Sequence, residues 1–284
     1  MTGTILIGQE NMTETAPIGF AAQPRNPAAA PPAAADILDM SDGGLVTIAA
    51  TVAGKGVSHI IPNALNYPGS MILIDIKGEL AAVTARRRRE MGQDVYILNP
   101  FAEGPTDYIN PFDLITPGQP EAIDQARMVA DLLVTRSHAE DPFWDDRARD
   151  LITGAILFIA EHVCAPDRAL HLAHRLWSAE LRQLATILAF MRESPRHDGV
   201  LGRFANQYID APDKTRGSIH TTMMGHLMPL SSLSGARAFS AQGKGRAVDL
   251  QALRDGGGVT IYLTVPPHYL HTHAAFLRIW VGSS

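Results

Sequence analysis

Ala49-Ala50-Thr51-Val52-Ala53-Gly54-Lys55-Gly56-Val57, followed by Ser70-Met71-Ile72-Leu73-Ile74-Asp75-Ile76-Lys77-Gly78-Glu79, is the stretch whose reading decides the fold. Just before it, residues 45–49 (LVTIA) follow the turn residues Asp42-Gly43-Gly44 and read as a buried strand. A strand, a small-residue loop ending in Gly-Lys, a helix and a second apolar strand ending in an acid is the order in which a chain assembles a triphosphate site. The loop acts by geometry: it turns backbone N–H groups and a helix N-terminus towards phosphate oxygens. Thr51, Val52, Ala53, Gly54, Lys55, Gly56 and Val57 would form that cradle, with Lys55 adding a point charge. Against the Walker A template, Gly54 and Lys55 match, Ala49 stands at the first glycine and Gly56 at the Ser/Thr that binds Mg²⁺. A plain glycine turn opening a helix fits the same triplet. Asp75 also reads two ways. It lies at the carboxyl edge of a parallel sheet, facing phosphates or a metal-bound water, or it caps the helix that follows. Lys77 and Glu79 could pair across that edge.

Outward from this run the pattern alternates. A helix over 55–65 is expected to bend or end at Pro62. Met71–Ile74 is a continuous apolar strand of the kind covered on both faces, 79–91 is helical with Gly92 as its stop, and Asp94–Leu98 is the next strand. Helical periodicity then dominates, over 121–133, 144–163, 169–174, 178–193, 200–209 and 214–228. Strand character returns at 259–265, between Gly256-Gly257-Gly258 and Pro266-Pro267. The predicted fold class is α/β, a P-loop NTPase parallel sheet with helices on both faces, interrupted by an all-α insertion. Its parts are an irregular Pro/Ala-rich lead segment (1–40), a first nucleotide-binding part (41–112), a helical domain (113–240) and a truncated second nucleotide-binding part (241–284).

The bulk composition narrows the classes. With 46% hydrophobic residues in a 284-residue chain, a sizeable core is available. The formal net charge of -5 argues against coating nucleic acid by bulk charge, although a local basic patch stays open. The single cysteine, Cys164, excludes an internal disulfide and is expected as a buried core thiol. No apolar run is long enough for a membrane span, and no basic segment followed by an apolar core marks a secretory signal. Arg86, Arg87, Arg88 and Arg89 form either a solvated helix face or a contact for DNA phosphates or a neighbouring subunit. His268, His271 and His273 crowd one loop, but no cysteine or helical His pair completes a zinc site, so no metal ligands are assigned. Trp144, Trp177 and Trp280 are expected in the core.

The linked motifs resemble the TraG-type coupling proteins of bacterial type IV secretion, the conjugative DNA-transfer ATPases. The resemblance rests on Thr51-Val52-Ala53-Gly54-Lys55-Gly56, Ile61-Pro62-Asn63-Ala64-Leu65, Tyr67-Pro68-Gly69-Ser70 and Asp75-Ile76-Lys77-Gly78-Glu79. Asn110-Pro111-Phe112 and Phe143-Trp144 continue it, and it spans most of residues 45–284. Three positions depart from the family pattern: Ala50 for a proline, Val52 for a loop glycine and Ile76 for the proline of the Asp-Pro-Lys-Gly-Glu run. Val52 puts a β-branched side chain where the backbone favours glycine. The resemblance implies ATP with Mg²⁺ as cofactor and a homo-hexamer on the cytoplasmic face of the bacterial inner membrane. It implies a relaxase–DNA complex, single-stranded DNA and type IV secretion channel components as partners. It also implies membrane helices and a Walker B strand ending in Asp-Glu. Neither is found in this sequence, so a fragment of a longer protein or a truncated gene is expected, with no catalytic residue inside it. Two other readings stay open: a non-catalytic cargo-docking adaptor with a degenerate P-loop, and half of another soluble P-loop DNA translocase.

Overall fold

A computed structural model describes residues 5–9, 36–39, 48, 54–135 and 142–284. The predicted strand over 45–49 lies outside them except for Ile48, which is 93% exposed and in no strand. Thr51, Val52 and Ala53 also lie outside the described residues. In the lead segment, of which only 5–9 and 36–39 are described, β1 (Ile5–Gln9) pairs antiparallel with β2 (Asp36–Asp39). Main-chain groups of Leu6 bond to the side-chain amide of Asn63, giving at 2.7 Å and receiving at 2.8 Å.

The chain beyond Gly54 enters a π-helical turn over Gly56–Ile60 and continues as α1 (Ile61–Asn66). Pro62 has no N–H to donate to the turn before it. Instead Ile61 donates five residues back, to the Gly56 carbonyl, so the helix widens upstream of the proline and is not broken by it. After β3 (Met71–Ile74) come α2 (Glu79–Glu90), β4 (Asp94–Leu98) and β5 (Thr106–Tyr108). The helical block holds α3 (Ala122–Leu133), α4 (Phe143–His162), α5 (His171–Trp177), α6 (Leu181–Glu193), α7 (Val200–Ile209), α8 (Asp213–Leu227) and α9 (Leu233–Ala238). The chain returns through β6 (Lys244–Ala247), α10 (Leu250–Arg254), β7 (Val259–Leu263) and α11 (Ala274–Ser283).

The return strand completes the sheet. β7 lies between β3 and β4, parallel to both, with Ile72 opposite Ile261 and Tyr96 opposite the same residue from the other side. Every residue of β7 is buried, as a central parallel strand requires. Side chains alternate across the sheet. Leu73, Val95 and Tyr262 pack under α1 and α2 with Ala64, Ala81 and Ala85. Tyr96, Leu98, Ile261 and Leu263 join a larger core that runs on into α3, α4, α8 and α11.

The two sheet edges differ. Asp107 Oδ2 accepts from Ile97 N (2.8 Å), Thr106 Oγ1 accepts from Asn99 N (2.6 Å), and Arg246 donates to the Val95 carbonyl (2.7 Å), so side chains block the outer edge of β4. On β3, Ile72 and Ile74 remain 38% and 51% exposed beside a cavity of about 610 Å³.

Trp177 and Trp280 are fully buried, and Trp144 packs partly buried against the main core. Cys164 is exposed, which corrects its assignment as a core thiol: it sits after the end of α4, where the buried periodicity has stopped. Among the described residues no helix is long and apolar enough to cross a membrane.

Candidate functional site

The site is built on the turn at Gly54. Its φ is +83°, and a Cβ placed there would meet nothing within 4 Å. The left-handed conformation therefore serves the backbone path, which an L side chain would strain. The helix starts at this residue, because the Gly54 carbonyl accepts from both the N–H and the hydroxyl of Ser58 at 2.8 Å. Lys55 follows in right-handed helical geometry and is half-buried; Gly56 also faces open space. The amides of Lys55, Gly56 and Val57 thus form the first turn of a helix, where N–H groups point along the axis and favour an anion. A glycine in the left-handed region directly before that turn is the arrangement that cups an oxyanion. These residues fit the phosphate end of a nucleotide.

Asp75 makes the contact that its capping reading expects. It follows β3, its N–H extends the ladder to the Leu263 carbonyl at 2.9 Å, and it is 3% exposed. Its Oδ2 accepts from the N–H of Ala81 at 2.8 Å, so the carboxylate caps the first turn of α2. Lys77 and Glu79 are exposed and make no ion pair with each other. Among the described residues no group of three His, Cys, Asp or Glu could hold a metal ion, and the His268, His271, His273 loop is no exception. The described residues fit phosphate.

The sheet gathers two further polar residues at the carboxyl edge that sequence reasoning missed. Thr264 follows β7, is buried, and donates its N–H to Leu98. Asn99 follows β4, and its Oδ1 is buried without a partner. The signal was present, since each directly follows the last residue of a parallel strand, where such sheets place their binding groups.

Arg88 is a correction to the candidate DNA contacts. It is fully buried, donating to the carbonyls of Tyr67 and Gly69 (2.6 Å for the latter) and to Thr260 Oγ1 at 2.8 Å. The guanidinium pins the Tyr67-Pro68-Gly69 turn to the central strand. Burial pulls its pKa below the ordinary arginine value. Beside it Tyr262 shares a 2.6 Å hydrogen bond with Thr84, and burial raises the phenol. Arg86, Arg87 and Arg89 are exposed, the first two lying 3.5 and 3.8 Å from Glu90.

Comparison with known proteins gives a consistent set of relatives. The family model for type IV secretory system conjugative DNA transfer matches residues 38–283. VirD4 of Rhizobium radiobacter is 36% identical over 119 residues, covering 41% of this chain and 17% of that protein. A conjugal transfer protein TraG of Escherichia coli is 27% identical over 192 residues, covering 64% of this chain and 30% of its own length. Among solved structures, the bacterial conjugative coupling protein TrwB in an unbound form superposes with a TM-score of 0.57 at 16% identity, covering 82% of this chain and 48% of that one. TrwB bound to a non-hydrolysable ATP analogue gives the same score and identity. The chain therefore has the fold of these proteins and spans less than half the length of each.

Proposed function

The chain belongs to the type IV secretory system conjugative DNA transfer family, and on that premise we propose that it is the nucleotide-binding part of a coupling protein. In this reading it binds ATP and helps deliver a DNA–protein substrate to the secretion channel. The observation that carries the proposal is Gly54, held at φ +83° with open space around it, directly ahead of a helix whose first residues are Lys55 and Gly56. TrwB, with which this chain shares its fold, has been solved with an ATP analogue and with ADP and Mg²⁺, which supports the choice of ligand.

The roles follow from position. The amides of residues 54–57 hold the phosphates, with Thr51, Val52 and Ala53 completing the loop. Lys55 supplies positive charge. Asp75 keeps α2 and the end of β3 in register, and Lys77 and Glu79 line the solvent side of that edge. In a whole coupling protein, hydrolysis of the ATP held here would supply the free energy for moving DNA. The partners are a relaxase–DNA complex, single-stranded DNA and channel components, in a homo-hexamer at the cytoplasmic face of the inner membrane. Arg86, Arg87 and Arg89 stay on this proposal as exposed cations for DNA phosphates or a neighbouring subunit.

We expect this chain by itself to bind ATP without turning it over. Calorimetric titration with ATP tests the proposal. Lys55→Ala should weaken binding by roughly 1.5–3 kcal/mol, the range for hydrogen bonds to charged groups. Equal affinity in the two proteins would contradict the site. Phosphate release by the parent clearly above that of the Lys55→Ala variant would contradict the claim that it binds without turnover.

A further inference from the structure

Arg88 is the one lysine or arginine that is buried among the described residues, at 0% exposure, and it donates to carbonyls and a hydroxyl, not to a carboxylate. Burying a charge without a counter-ion is costly, and an apolar side chain of similar size would fill the same space at less cost. What a guanidinium adds is direction: its donors lie in one rigid plane and fix the groups they meet. Here they fix the turn that ends α1. Arg88 donates to the carbonyls of Tyr67 and Gly69, and Gln93 donates to the Pro68 carbonyl between them at 2.7 Å. Both side chains meet again on the central strand at Thr260 Oγ1, which accepts from Arg88 at 2.8 Å and donates to Gln93 at 3.3 Å. The turn is tight in itself, since a Cβ at Gly69 would lie 2.6 Å from the Tyr67 ring.

That turn anchors the helix whose other end carries the phosphate site. Tyr67 donates its N–H to the Asn63 carbonyl at 2.8 Å, which joins the clamped residue to the last turn of α1. The buried residues of this helix, Asn63 and Ala64, lie towards the same end. The π-helical turn over Gly56–Ile60 has no buried residue, and its Ile60 packs only partly buried against the sheet. The end with Lys55 and Gly56 therefore projects from a fixed base. From Asn66 back to Lys55 is roughly 16 Å at about 1.5 Å per residue, so a tilt of about 4° at the turn moves the first amides by about 1 Å. A binding constellation tolerates only about half of that.

We propose that Arg88 is a positioning residue for the nucleotide site: by fixing the Tyr67-Pro68-Gly69 turn to Thr260 it sets where the amides of Gly54, Lys55, Gly56 and Val57 meet the phosphates. The proposal rests on the nucleotide-binding reading above and adds to it a residue at the opposite end of the helix, with no contact to the ligand. Arg88→Met separates position from stability. It keeps an apolar stem of similar length and removes the directed bonds, and the turn is part exposed, so water can replace the lost donors.

The test uses the full chain, with calorimetric titration of ATP and the backbone amide spectrum of each variant before nucleotide is added. Arg88→Met should weaken ATP binding at least about fivefold, roughly the 1 kcal/mol that this ratio represents. It should also shift the free-state amides of Gly54, Lys55, Gly56 and Val57, although the substitution lies at the far end of the helix. Arg88→Lys, which keeps a buried donor for the turn, should recover part of the affinity. Gly154→Ala, which strains the helical block elsewhere, should leave both the affinity and these amides as in the parent. Parent affinity in Arg88→Met with the four amides unmoved overturns the proposal and leaves the nucleotide reading standing. An equal loss of affinity in Gly154→Ala assigns the effect to general stability and also overturns it. Should Arg88→Met fail to fold, Thr260→Val and Arg88→Lys decide: each should weaken binding and move the same amides, and parent values in both overturn the proposal. Absence of ATP binding by the parent overturns this proposal and the nucleotide reading together.

Discussion

Asp75 is the residue at which chemistry and architecture compete, and the backbone holds it. A carboxylate ending a parallel strand is well placed for phosphate chemistry, but this one is buried against the first turn of α2 and accepts from Ala81. Asp75→Ala should cost about 1–2 kcal/mol of stability, as losing a helix cap does. Asp75→Asn, which keeps a side-chain acceptor, should cost much less. Neither should change the affinity for ATP, as chemical denaturation and calorimetry on both variants can check. Lost affinity in a folded Asp75→Asn protein would return the residue to the site. Both roles were legible in the sequence, because Ile74-Asp75 ends an apolar run and Glu79 opens a helix; the capping role is the one with a contact behind it, at 2.8 Å. Arg88 was not legible as a buried residue. Four arginines in a row read as a charged face, and the helical period turns one of them inward onto β7, where carbonyls and Thr260 take up its donors.

At the level of elements, periodicity was a sound guide to what is long and strongly patterned. The three sheet strands stand where their apolar runs place them, and the return strand at Val259–Leu263 closes the sheet across the helical block. The short pieces were not readable. β6 is Lys-Gly-Arg-Ala and β5 is Thr-Asp-Tyr, with no apolar alternation; the Asp107 carboxylate ties them together, accepting from Arg246 N of β6 and from Ile97 N of β4. Within the helical block, α4 and α7 approach closely at Gly154, where an added Cβ would lie 2.8 Å from the Phe204 Cβ. Gly154→Ala gains helix propensity, yet the clash with an atom next to the α7 backbone cannot be relieved by a rotamer change. We expect a net loss of roughly 1–3 kcal/mol, the usual range for overpacking. Thermal or urea denaturation would show it, and an unchanged or raised midpoint would mean that the two helices can move apart at little cost.

Across the whole molecule, one core joins sheet and helices: Leu98 and Leu263 of the sheet and Ile152 and Ile156 of α4 belong to the same buried cluster, and α11 donates from Arg278 to the carbonyls of Leu132 and Leu133 at the end of α3. Four histidines, His171, His174, His220 and His273, have pKa values lowered by burial, with Arg175 adding to the effect at His171. Below their ordinary value of 6.5 the unfolded chain binds more protons than the folded one, so their contribution is present above that pH and is lost as pH falls through it. The melting midpoint should therefore fall from about pH 7.5 to about pH 5.5, and His220→Gln should flatten part of that fall. A midpoint that rises over the same window would contradict the burial of these rings. The central claim concerns one turn of the chain, and the most direct measurement follows its backbone amides by NMR during titration with ATP. The account predicts that the largest shifts fall on Gly54, Lys55, Gly56 and Val57 and disappear in Lys55→Ala. Shifts confined to other parts of the chain, with these four amides unmoved at saturating ATP, would contradict it.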